Sequence, residues 1–162
     1  PGFHGRAFAL PKEHLMIVKL DLAMLFSAGM LAAALSDLEH RRVDNKLILM
    51  LAIIAALRIV ACGQWWNLAG ILPAALLYLF CYKNSQGIGG ADIKLAGAAG
   101  LFHGLFGVLP VLLCACVSTL AAELTMRLFK TRHKGGIPFC FYLGLSSIAA
   151  NMLYGRRRIF SE

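Results

Sequence analysis

Two aspartates lie at the ends of apolar segments in a chain of 162 residues that has only 8 acidic side chains. Asp37 follows a long apolar run, and Asp92 lies between a glycine-rich stretch and another apolar run. A carboxylate at membrane depth is costly and marks a functional site by default. Two carboxylates that meet can divide the work of hydrolysis, because one accepts a proton from water while the other protonates a carbonyl. This pair therefore predicts the chemistry of an intramembrane aspartic peptidase.

Each aspartate also has a structural interpretation. Asp92 stands where an N-cap residue would start a helix. Asp37 can form an ion pair with Arg41, four residues further along the same helix. These interpretations stay open at the level of sequence.

Three glycines that precede Asp92 lack side chains that would keep an extended peptide from the backbone. We expect substrate contact from Gly87, Gly89 and Gly90.

The composition predicts an integral membrane protein. The hydrophobic fraction is 59%, the mean hydropathy is +0.72 and the charged fraction is 15%, whereas a soluble domain carries about 25% charged residues. The 16 basic residues give a net charge of +8. Many of them lie between apolar runs, where they are typical of cytoplasmic loops and of contact with lipid headgroups. Membrane lipids are thus expected partners and nucleic acid is not, since no soluble basic domain is apparent.

The five cysteines give no support for a metal site, because no two of them form a CxxC pair. We interpret them as buried free thiols that behave as small hydrophobes. Neither a metal nor another cofactor is predicted.

Six apolar segments predict an all-α, polytopic membrane helix bundle of about six transmembrane helices. The segments are residues 17–36, 47–62, 68–82, 92–102, 105–129 and 137–153. The fourth is the shortest, and its glycines allow close helix contact: Gly97, Gly100, Gly104 and Gly107. Residues 1–15 are interpreted as an N-terminal extension or a cloning remnant, and residues 16–162 as a single membrane-embedded domain.

The charge of the loops predicts the topology. Basic residues occur in the first, third and fifth loops, which places those loops in the cytoplasm. Asp37 and Asp92 then share the cytoplasmic side, as a common site requires. The basic cluster at residues 156–158 disagrees with a six-span arrangement, and the three loops are given more weight.

Three segments resemble motifs of the type IV prepilin peptidase family. Residues 87–95 (GIGGADIKL) are similar to its GxGD-type motif, residues 37–45 (DLEHRRVDN) to its first aspartate motif, and residues 137–144 (IPFCFYLG) to its C-terminal segment. Two positions depart from the family pattern: Ala91 stands where glycine is common, and Asp44 where proline is common. Asp44 therefore adds a third carboxylate near the expected site.

The resemblance implies a multi-pass enzyme of the bacterial cell (inner) membrane that cleaves basic leader peptides from prepilin-like proteins at the cytoplasmic face. It implies Asp37 and Asp92 as the catalytic pair, with supporting roles for Lys94, Arg41, Asn45 and Pro138. The chain has no CxxC-bearing insertion, so it resembles the compact, peptidase-only form found with Flp-type pili.

Leader recognition is expected from Glu39 and Asp44, because a cationic leader would otherwise be repelled by the basic loops. The alternative is that both carboxylates pair with neighbouring basic residues in a solvated loop, which contributes little free energy.

A second function class is a non-catalytic membrane subunit of a pilus, secretion or transport system. Asp21, Arg58 and Glu123 support it, since polar residues within spans also mark conduction paths. Snorkelling or pairing between helices is the structural alternative for all three.

Overall fold

The computed structural model describes residues 12–40, 42–84, 89–129 and 139–159, and the regular structure within these ranges is entirely helical. There are five α-helices and one 3-10 helix among the described residues. They are α1 (Lys12–His40), α2 (Asn45–Cys62), the 3-10 helix (Trp65–Ile71), α3 (Leu72–Asn84), α4 (Gly90–Leu128) and α5 (Phe139–Ile159). The predicted all-α bundle is confirmed. Residues 12–15, which were left out of the predicted domain, form the first turn of α1.

Three helical stretches of the described chain are long and apolar enough to cross a membrane: His14–His40, Asn45–Cys62 and Gly90–Leu128. Two shorter apolar stretches, Trp65–Leu79 and Phe139–Leu153, complete the bundle. Many large apolar side chains on these helices are exposed, among them Leu113, Leu120 and Leu128 of α4. Such an apolar exterior is the surface expected of helices that face lipid.

The fourth and fifth predicted spans both belong to α4, which is interrupted at Gly104. This residue has φ 73° and ψ 175°, a conformation that only glycine adopts readily. It divides α4 into two helical segments, residues 90–103 and 105–128. Arg58 of α2 donates from Nη1 to the carbonyl oxygen of Phe102 at 3.0 Å, just before the interruption. A cation on the last carbonyls of a helical segment stabilises that end.

Aromatic packing joins α1, α2 and the first segment of α4. The rings of Phe26 and Phe102 stack with centroids 3.9 Å apart, and both side chains are fully buried. The Arg58 guanidinium lies 4.1 Å from the centroid of the Phe102 ring. His103 adds a contact to α5, because its Nε2 lies 2.9 Å from the hydroxyl of the buried Ser147. This cluster fixes the first segment of α4 against three other helices.

Two glycines allow the 3-10 helix to lie against the first segment of α4 at backbone distance. A Cβ built on Gly70 would lie 2.0 Å from the carbonyl oxygen of Gly100, and a Cβ on Gly100 would lie 2.0 Å from that of Gly70. A Cβ on Gly97, one turn earlier, would make an ordinary contact with Ala74 at 3.7 Å. The predicted close helix contact is therefore present at Gly100 and is looser at Gly97.

Candidate active site

Asp37 lies in the last turn of α1, where the chain leaves the helix and turns toward α2. The Ser36 hydroxyl donates to the carbonyl oxygen of Arg42 at 2.9 Å, which holds the turn against the helix end. Val43 is 9% exposed and anchors the loop in the core. Asp37 itself is half-buried, with Oδ2 wholly enclosed. Arg41, the expected ion-pair partner of Asp37, lies outside the described residues.

Asp92 is the third residue of α4, and it does not cap the helix. The N-cap is Gly89, with φ −61° and ψ 138°, so the capping interpretation of Asp92 is wrong. The Asp92 amide donates to the carbonyl oxygen of Gly89 at 3.0 Å. A Cβ built on Gly89 would lie 3.1 Å from Asp92 Oδ2, whereas one built on Gly90 would meet open space. Gly89 thus leaves room for the catalytic candidate, and Gly90 leaves an open approach.

Cys140, in the first turn of α5, contacts Asp92 and lies within electrostatic range of Asp37. Its thiol donates to Asp92 Oδ1 at 2.6 Å, and the side chain is only 1% exposed. The sulfur also interacts electrostatically with both carboxylates, Asp92 and Asp37. The first turn of α5 thus places one buried thiol against the first turn of α4 and within electrostatic range of the last turn of α1.

Cys140 is a buried free thiol as predicted, but it also donates to Asp92 and so does not behave as a simple hydrophobe. Cys62 is half-buried, and Cys114 and Cys116 are exposed rather than buried. Cys140 was missed because a thiol in an apolar segment has no distinctive pattern. The available signal was its position directly after Pro138 and Phe139, within the third family-like motif. The side chain of Cys81 lies outside the described residues.

A hydrogen bond joins the two aspartate motifs. Lys94 Nζ donates to Oδ1 of Asn45 at 3.0 Å, linking the first turn of α4 to the first residue of α2. Both side chains are exposed at the end of the bundle that carries the aspartates. The two motifs are thus linked through Lys94 and Asn45, the residues to which the resemblance gives supporting roles.

The acidic residues of the first loop differ in their surroundings. Asp44 is the N-cap of α2, and its Oδ1 accepts a hydrogen bond from the Lys46 amide at 3.0 Å. The Glu39 side chain is 73% exposed, with Oε2 3.8 Å from Nδ1 of His40. Asp44 therefore caps α2, whereas the Glu39 carboxylate is exposed at the end of α1 that carries Asp37. Gly87 and Pro138, the remaining predicted site residues, lie outside the described residues.

Two of the three polar residues that favoured a transport subunit bind partners within the described part of the chain, and the third is exposed. Arg58 binds the Phe102 carbonyl, Glu123 pairs with Arg127 on the same helix, and Asp21 is exposed on α1. Within the described ranges, no three His, Cys, Asp or Glu side chains are grouped so that they could hold a metal ion.

The fold and the site define a membrane-embedded helix bundle with two aspartates converging at one end. The model of the type IV leader peptidase family matches residues 24–124, which include both aspartates and more than half of the chain. The chain belongs to the type IV leader peptidase family, and it is thus a membrane peptidase. Comparisons with characterised proteins and with solved structures find no significant match.

Proposed function

We propose that this chain is an aspartic endopeptidase that removes the basic leader from type IV prepilin-like proteins, with Flp-type prepilins as candidate substrates. The observation that carries the proposal is the convergence of Asp37 and Asp92 on the Cys140 thiol. The family supports leader cleavage, and the geometry supports two carboxylates as the reacting groups. Because these two carboxylates are the acidic groups that act on the buried Cys140 thiol, they are the strongest candidates for an acid–base pair at the site.

The proposed reaction uses one water and no covalent intermediate. One carboxylate receives a proton from the water while the water oxygen bonds to the scissile carbonyl carbon. The second carboxyl group protonates the carbonyl oxygen, so the tetrahedral intermediate carries no buried negative charge. Two neighbouring carboxylates share a proton readily, since like charges a few Å apart cannot both ionise cheaply.

The substrate reaches this pair at the membrane surface. Glu39 is exposed beside the end of α1 and suits the cationic leader, whose positive charge it would attract. Gly90 leaves open space at the start of α4, where the extended chain around the scissile bond would lie. The apolar segment that follows the leader would then remain within the lipid.

The proposed orientation has the site at the cytoplasmic face of the bacterial inner membrane. The stretch from the end of α1 to the first turn of α2, which includes Arg42 and Lys46, is basic, and basic segments between spans favour the cytoplasmic side. A leader made in the cytoplasm would meet the site there before any export of the mature segment.

The test is cleavage of a prepilin-like reporter, with a lysine-bearing leader ahead of an apolar helix, by the purified protein in detergent. Asp37→Asn and Asp92→Asn should each lower kcat by about 10²–10⁴-fold or more, because an amide can neither take nor return the proton. Asp44→Asn is the matched control, since asparagine also caps helices well, and it should retain activity. Near-wild-type turnover by either catalytic variant would reject the assignment and favour a non-catalytic subunit.

A further inference from the structure

Cys140 is the polar side chain at the site to which the two-carboxylate reaction gives no role. Its thiol is buried between α4 and α5 and is directed to Oδ1 of Asp92 at 2.6 Å. A buried donor on a reacting carboxylate affects both its orientation and its charge.

The charges around the sulfur favour a donor over a nucleophile. Asp37 of α1 and Asp92 of α4 both act on it, and Lys94 of α4 is bonded to Asn45. An anionic sulfur would therefore face two like charges, which disfavour a nucleophilic thiolate.

The partial charges of the helix ends favour the ionised form of Asp92 over that of Asp37. Asp92 is the third residue of α4, next to the partial positive charge of a helix N-terminus. Asp37 lies in the last turn of α1, next to the partial negative charge of a C-terminus. The Cys140 hydrogen bond adds to this difference, because a donor favours the ionised form of the carboxylate that accepts from it.

We propose that Cys140 is a positioning residue that fixes Asp92 as the base of the pair and leaves Asp37 to carry the shared proton. This role rests on the proposed peptidase function. Asp92 takes one proton from the water as the water oxygen bonds to the carbonyl carbon, and Asp37 gives its proton to the carbonyl oxygen. When the carbon–nitrogen bond breaks, the proton on Asp92 passes to the leaving amine and a hydroxyl proton of the intermediate returns to Asp37. One water is consumed, and both carboxyl groups regain their starting states.

The test compares Cys140→Ala, which removes the donor, with Cys140→Ser, which retains one. With the lysine-bearing prepilin reporter, Cys140→Ala should lower kcat about tenfold, equivalent to about 1.4 kcal/mol, with KM unchanged. The acidic limb of its kcat profile should move to higher pH, because the ionised base loses its donor. Cys140→Ser should recover most of the lost kcat. Cys116→Ala is the matched control, since Cys116 is exposed on α4, and it should behave as the wild type.

Infrared difference spectroscopy supplies a readout that does not need turnover. The carboxyl band that disappears in Asp92→Asn should shift in Cys140→Ala and stay near its original frequency in Cys140→Ser. Thermal unfolding in detergent reports whether each variant folds, and Cys140→Val, which fills the space without a donor, replaces the alanine variant if that one does not. A wild-type kcat and pH profile in Cys140→Ala, or an equal loss in the alanine and serine variants, would overturn the positioning role. A wild type that leaves the reporter uncut while the band still shifts would reject the proposed function alone.

Discussion

At the scale of single residues, the backbone beside Asp92 is as informative as the carboxylate itself. Gly89 stands where a side chain would press on Oδ2 of Asp92, while Gly90 opens into free space. Neither glycine has a positive φ in α4 or at its start, so conformational strain does not explain them. Close approach does, on the enzyme side at Gly89 and, in the proposed reaction, on the substrate side at Gly90.

This difference predicts opposite kinetic effects for two neighbouring substitutions. Gly89→Ala places a methyl group 3.1 Å from Asp92 Oδ2, which displaces the carboxylate and should lower kcat by about tenfold or more, as small misplacements of reacting groups do. Gly90→Ala leaves Asp92 in place and should raise KM with kcat retained. Steady-state cleavage of the prepilin reporter by both variants measures the split. Equal effects on kcat would contradict the assignment of Gly89 to the Asp92 side.

The exposed carboxylate of Glu39 gives a prediction on leader recognition. Glu39→Gln should raise KM by about two- to fivefold, the range expected for an exposed charge pair, and added salt should weaken wild-type binding. Asp44→Asn should leave KM unchanged, because Asp44 is occupied as the N-cap of α2. A lowered kcat with unchanged KM in Glu39→Gln would instead place this carboxylate in the chemistry.

At the scale of elements, the first segment of α4 carries Asp92 and is held from several sides. Arg58 binds its end, His103 contacts Ser147 of α5, and Gly100 meets Gly70 of the 3-10 helix. Lys94 ties its start to Asn45 of α2. These contacts compensate for a segment too short to cross about 30 Å of hydrocarbon alone, and they fix where its first turn presents Asp92.

Two glycines one turn apart in this segment should respond differently to the same substitution. Gly100→Ala would place a Cβ 2.0 Å from the Gly70 carbonyl oxygen, so the 3-10 helix must separate from α4 and the thermal unfolding temperature in detergent should fall sharply. Gly97→Ala makes only an ordinary 3.7 Å contact and should be neutral or stabilising by up to about 1 kcal/mol, since alanine favours the helix. Unchanged stability in Gly100→Ala would show that the backbones do not pack this closely.

At the scale of the whole molecule, the sequence predicted much of the bundle because apolar length is a strong signal in a membrane protein. The first, second and sixth predicted spans fall on α1, α2 and α5, the third falls on the 3-10 helix and α3, and the fourth and fifth are the two segments of α4. The surroundings of Cys140 and Arg58 could not be predicted, since both depend on which helices become neighbours. Asp44 was ambiguous for a related reason: loop carboxylates can recognise a ligand or cap a helix, and the backbone decides between them.

The basic residues beside the aspartates also predict the orientation of the molecule in the membrane. His40 lies at the end that carries the aspartates, and Gln64 follows α2, whose 18 residues span about 27 Å. The background replaces Cys140 by serine and the other four cysteines by alanine. In this background, a cysteine at His40 should react with an impermeant thiol reagent only after cells are opened. A cysteine at Gln64 should react in intact cells. Ser85, between α3 and α4, is a further labelling position and lies outside the described residues. The reverse pattern at His40 and Gln64 would contradict the cytoplasmic orientation.

The central claim is that Asp37 and Asp92 act as one catalytic unit, and a double-mutant cycle tests it most directly. Reporter cleavage is measured for the wild type, Asp37→Asn, Asp92→Asn and the double variant, with Asp21→Asn on α1 as the control. Residues that act as a unit are strongly non-additive, so each single variant should lose nearly all turnover and the double variant should lose no more, while the control retains activity. Losses that multiply in the double variant, or substantial cleavage by either single variant, would contradict the account.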